Sequence, residues 1–63
     1  MVKVNNVSKW ASGKKYMVIR IVNGEAWFYD AWDDYGKALV QASEEGGQVV
    51  PSSEVEVLSL GNW

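Results

Sequence analysis

The sequence predicts an α+β domain: a small antiparallel sheet of three to five strands, in the order (β)ββαβ(β), with one helix packed on one face. Two observations carry this reading. Asn23-Gly24 joins two runs rich in β-branched and aromatic residues, which is the signature of a tight hairpin. After it, Tyr35, Ala38, Leu39 and Ala42 recur at helical spacing behind Asp33-Asp34 and ahead of Gly46-Gly47, a start and a stop for a helix. Residues 1–63 form a single small domain, with no repeat, low-complexity segment or internal boundary.

Taken in order, Val2 and Val4 alternate with polar residues and predict an N-terminal strand, joined to the hairpin through Ser8 to Gly13. The hairpin runs from Tyr16 to Val22 and from Glu25 to Ala31. A two-residue type I′ turn pairs Val22 with Glu25, Ile21 with Ala26, Arg20 with Trp27, Ile19 with Phe28, Val18 with Tyr29 and Met17 with Asp30. Met17, Ile19, Ile21, Ala26 and Phe28 then share a core face, while Tyr16, Val18, Arg20, Val22, Trp27 and Tyr29 share the other. A bulge at Gly24 would reverse part of this assignment. The helix is expected from about Asp34 to about Glu45, its apolar stripe of Tyr35, Ala38, Leu39 and Ala42 lying over Met17, Ile19 and Phe28. Gln48-Val49-Val50 reads as a short strand ended by Pro51, and Ser52-Ser53 as a turn. Glu54 to Val57 alternates as a half-solvated strand, and Leu58 and Leu60 break its phase. Ser53 and Glu56 also have the spacing of a capping box, but the alternating valines favour the strand.

Composition excludes several chemistries. The chain has no cysteine and no histidine, which removes disulfides, thiolate chemistry, the usual zinc sites and histidine-based acid–base catalysis. An enzyme is not expected. The first seven residues hold no apolar run and no segment is long enough to span a membrane, so the chain is expected in the cytoplasm. Six basic residues against eight acidic ones give a net charge of −2, unlike the basic footprint of a general nucleic-acid binder.

Trp27 to Tyr35 concentrates five of the eight aromatic residues and three of the eight acidic ones. Asp30, Asp33 and Asp34 could gather round a hard cation, but acidic residues at a helix start complement its dipole and cap its amides, so no metal or cofactor is expected. Ser12-Gly13-Lys14-Lys15 shares the end of a phosphate-binding loop. It lacks the earlier glycine, the hydroxyl after the lysine and the helix that should follow. Lys9, Lys14, Lys15 and Arg20 with Trp10, Tyr16 and Trp27 combine charge and rings as single-stranded nucleic-acid surfaces do. Glu44, Glu45, Glu54 and Glu56 read as solvated faces, with an acidic imitation of phosphates as the alternative.

Trp, Tyr and Arg dominate interface energetics, and Tyr16, Arg20, Trp27 and Tyr29 are therefore the expected partner-binding residues. The competing expectation is that Trp10, or Leu58, Leu60 and Trp63, fold over those rings as structural cover; self-association through this face or a strand edge is a third.

Lys15-Tyr16-Met17-Val18 with Gly24-Glu25-Ala26-Trp27-Phe28-Tyr29, then the Asp-started helix with Ala38 and Ala42 and its Gly46-Gly47-Gln48-Val49-Val50 exit, resembles small uncharacterised proteins of bacteriophages and prophages. The likeness covers residues 14–50. It implies the hairpin–helix–strand order and an accessory protein that binds and blocks a host protein, as the anti-CRISPR group does. The sequence thus predicts a non-enzymatic binding module with a protein partner, the alternative being a single-stranded nucleic-acid binder.

Overall fold

A computed structural model describes residues 1–61 of the chain. Five strands, β1 (Val2–Asn5), β2 (Tyr16–Val22), β3 (Glu25–Trp32), β4 (Gln48–Pro51) and β5 (Val55–Val57), form one sheet in the order β4-β2-β3-β1-β5. One helix, α1 (Tyr35–Glu45), packs on it, and 3-10 turns occupy Lys9–Gly13 and Ser52–Glu54. This is the α+β class and the element order that the sequence predicts.

The hairpin turn is built as its residues require. Asn23 and Gly24 both take positive φ, 52° and 79°, the backbone of a type I′ turn. From there Val22 pairs with Glu25, Ile21 with Ala26, Arg20 with Trp27 and Ile19 with Phe28, as expected. The register then shifts between Val18 and Ile19, so Val18 pairs with Asp30, Met17 with Ala31 and Tyr16 with Trp32. Tyr29 is the extra residue of a bulge in mid-strand, rather than at Gly24. One inserted residue reverses the facing of everything after it. Ala31 moves into the Met17 side, and Asp30 and Trp32 cross to the Val18 side.

That shift explains why the helix lies on the face opposite to the one expected. α1 packs over β2, β4 and β3 with Ala38 and Ala42 buried against Val18, flanked by Tyr16, Tyr29, Trp32 and Val49. A helix offering only alanines needs large side chains from the sheet, and the bulge adds Trp32 to Tyr16 and Tyr29 on this side. Tyr35 and Leu39, expected in the buried stripe, are half exposed at 53% and 49%. Tyr35 instead meets Tyr16 edge to face, with centroids 5.3 Å apart.

The Met17 side is closed by other parts of the chain. Val4, Val7, Ala11, Met17, Ile19, Ala26, Phe28 and Ala31 form its core, with Val2, Val50 and Val55 against them. Trp10, from the first 3-10 turn, meets the Phe28 ring at 5.9 Å and 74°. Trp10 therefore sits on the side away from Trp27 and does not cover it. Ile21, assigned by its alternation to this core, lies beyond the cover and is 52% exposed.

The sheet is mixed rather than antiparallel throughout. β2 runs antiparallel to β3 and β4, but β1 is parallel to both β3 and β5. Beyond Asn6, which turns the chain at φ 61°, the parallel contact continues as a bridge between Val7 and Leu60. Leu58 and Leu60, expected as cover, are half exposed. The covering role expected of Trp63 lies outside the described residues.

Both ends of α1 are fixed as their residues suggest. The Asp34 carboxylate accepts from the Lys37 N–H at 3.1 Å, and Gly46 closes the helix at φ 69°. Gly47 then enters β4 so close to β2 that a Cβ there would run into the Ile19 carbonyl oxygen.

Candidate binding surface

The four residues singled out by the sequence lie on one side of the sheet, because Tyr16, Val18 and Arg20 alternate onto the helix side of β2 and Trp27 faces Arg20 across the ladder. The helix divides them. Tyr16 and Tyr29 are half buried beneath or beside α1, whereas Arg20 and Trp27 lie toward the hairpin end and are exposed, Trp27 at 40%. Trp27 also has Asn5 as its neighbour on β1, and Asn5 is held by its side-chain N–H to the Ala26 carbonyl at 3.2 Å. The Arg20 stem passes Gly47, where the missing side chain leaves room for it. With Val22 also exposed, the hairpin end presents an arginine, a tryptophan and a β-branched side chain on this face, while exposed Ile21 lies on the other.

The acidic cluster is dispersed into three separate structural tasks. Asp30 accepts from the Ala31 N–H at 2.8 Å and from the Gln41 side-chain amide at 2.9 Å. Asp33 accepts from the Lys15 N–H at 3.2 Å and faces the Lys14 ammonium at 3.6 Å. Asp34 caps α1. Among the described residues no group of three or more His, Cys, Asp or Glu side chains is placed to hold a metal ion.

Sequence reasoning missed Gln41 and Trp32. The Trp32 indole N–H donates to Gln41 Oε1 at 2.7 Å, and the Gln41 amide passes the connection to Asp30. Gln41 lies beside buried Ala38 and Ala42 on the helix, so a polar residue at the edge of an apolar stripe was the available signal. Along that edge a groove of about 580 Å³ runs between α1 and Trp32, bordered by Lys37, Val40, Gln41 and Glu44.

The rings of the nucleic-acid reading are divided between the two faces of the sheet, Trp10 against Phe28 on one, and Tyr16 and Trp27 with Arg20 on the other. Trp10 packs on the Phe28 side and Trp27 on the helix side, so bases stacked on one cannot continue onto the other. Among the described residues no helix is long and apolar enough to cross a membrane. Comparison with protein-family models, curated proteins and solved structures finds no match to this chain.

Proposed function

We propose that the protein is a non-enzymatic binding module that occupies a surface of a protein partner through the hairpin end of its sheet, with Arg20 and Trp27 as the principal contacts. The observation that supports this most directly is the exposure of Trp27 beside Arg20 when the other aromatic residues of the hairpin are packed under α1 or Trp10. A large ring left exposed near the hairpin turn, with an arginine across the ladder, has the composition of an interface anchor. Tyr16 and Tyr29 take the supporting role: they hold α1 against the sheet and so fix the strands that carry the anchor. The resemblance to phage accessory proteins gives this reading its setting, steric masking of a host protein in the cytoplasm.

The test compares Trp27→Ala and Arg20→Ala with the parent chain in affinity capture from the source cells, followed by mass spectrometry and measurement of affinity for the protein recovered. Loss of one defined partner by both folded variants supports the reading. If Trp27→Ala lowers stability while the folded fraction keeps its full partner affinity, Trp27 is a packing residue and the interface assignment fails.

A further inference from the structure

The opposite end of β2 carries a second recess with different chemistry. It is open to solvent, measures about 510 Å³ and is lined by Ser12, Lys14, Lys15, Tyr16, Ser52 and Ser53, with Pro51 at its wall. The chain holds more acidic than basic residues, yet among the described residues no carboxylate lines this recess. The nearby Asp33 is already engaged by Lys14 and by the Lys15 N–H. Lys15 itself forms no ion pair among the described residues and remains exposed.

Ser52 supplies an independent observation. Its N–H is tied to the Lys15 carbonyl at 2.9 Å, which fixes the second 3-10 turn against the start of β2. Its hydroxyl is turned inward, buried and without a hydrogen-bond partner, an arrangement rare enough in folded proteins to require a reason, and a rotation about χ1 would bring it out to the recess. Ser12 already donates to the Lys9 carbonyl at 3.2 Å, so the uncommitted donors are the ammonium of Lys15, the hydroxyls of Ser52 and Ser53, and the phenol of Tyr16.

We propose that this recess binds a phosphate monoester. Lys15 supplies the unpaired positive charge beside the Lys14–Asp33 pair, Ser53 donates to the phosphate oxygens together with Ser52 once its hydroxyl turns outward, and Tyr16 with Pro51 lies against the organic part. A tetrahedral dianion can accept from several donors at once, as Lys15 and the serine turn require. The volume exceeds what a lone oxyanion fills and falls in the range of small-molecule pockets, roughly 300–1,000 Å³. Sequence motif and site part company here: Gly13-Lys14-Lys15 opens no helix, and the donors come together only because the Ser52–Glu54 turn docks beside Lys15. Lys15 and Arg20 are about 17 Å apart along the strand, so this site is independent of the protein contact proposed above.

The test is a ¹H–¹⁵N NMR titration of the chain with phenyl phosphate, inorganic phosphate and sulfate at constant ionic strength, at about pH 7.5 where the monoester is largely a dianion. Shifts confined to residues 12–17 and 52–54, with phenyl phosphate the tightest ligand, support the proposal. Lys15→Ala should weaken phenyl phosphate roughly tenfold or more, and Ser52→Ala should weaken it to a lesser degree. Lys37→Ala, the same change of charge on α1, should leave it unchanged. Should Lys15→Ala lose its dispersed spectrum, Lys15→Gln carries the same comparison. Equal weakening by the Lys15 and Lys37 variants, shifts scattered over every lysine, sulfate or inorganic phosphate binding as tightly as phenyl phosphate, or no shift at all would each overturn it.

Discussion

Gln41 of α1 and Asp30 of β3 are joined by a 2.9 Å hydrogen bond, and the same glutamine accepts from the Trp32 indole at 2.7 Å. One helix side chain thus latches two strand residues that face it only because of the bulge at Tyr29. Gln41→Leu keeps the bulk but leaves a half-buried carboxylate and an indole N–H without this partner. It should lower stability by about 1–3 kcal/mol, measured by urea unfolding, and a double-mutant cycle with Trp32→Phe should show coupling. Additive effects would mean that the three groups do not act as a unit.

Glycine substitutions should divide sharply by position. Gly47→Ala drives a methyl into the Ile19 carbonyl and must push β4 from β2, whereas a Cβ at Gly13 meets nothing within 4 Å. Gly47→Ala is expected to cost more than about 1 kcal/mol, and Gly13→Ala to stabilise by about 0.4–1 kcal/mol through the unfolded chain. Thermal melts of the two variants should move in opposite directions.

Ala38 is fully buried between α1 and Val18, so its small size sets how closely the helix can lie. Ala38→Leu should destabilise by about 1–3 kcal/mol. Leu39→Ala, one position along but half exposed, should change stability by no more than about 0.5 kcal/mol. An equal loss from both in chemical denaturation would place the contact stripe on the wrong helix face.

The cap at Asp34 is accessible to the same measurement. Asp34→Ala removes the acceptor for the Lys37 N–H and should cost about 1 kcal/mol, while Asp34→Ser should recover most of it. Far-ultraviolet circular dichroism during unfolding reports whether the first turn of α1 frays earlier.

Local chemistry made the hairpin and the helix legible. Asn23-Gly24 and Gly46 occupy the positive-φ positions that their residue types favour, and Asp34 has its carboxylate where a cap must lie. Facing was not legible beyond Ile19, because no residue between Trp27 and Trp32 signals that Tyr29 is the inserted one. The choice depends on which side of the sheet finds better cover, a property of α1 and the Lys9–Gly13 turn together. Parallel pairing of β1 was hidden for a related reason: it joins segments far apart in sequence, and alternation in Val2 to Asn5 reads the same in either direction. The candidate site was half legible. Arg20 and Trp27 are cross-strand neighbours as the hairpin register predicts, but the exposure of Trp27 and the burial of Tyr16 and Tyr29 follow from the position of the helix.

The parallel contact between β1 and β5 also decides how the fold would bear tension. The chain enters at the start of β1, and the parallel contact runs on past β5 to the Val7–Leu60 bridge, so the two ends of the contact lie at opposite ends of one bonded parallel pair. A pull on the flanking segments therefore slides the strands past each other and loads their hydrogen bonds together, the geometry of shear. Tension applied across the tips of an antiparallel pair opens it bond by bond, as a zipper does. A module tethered through its flanks would resist extension until β1 and β5 part, and would then give way in one step.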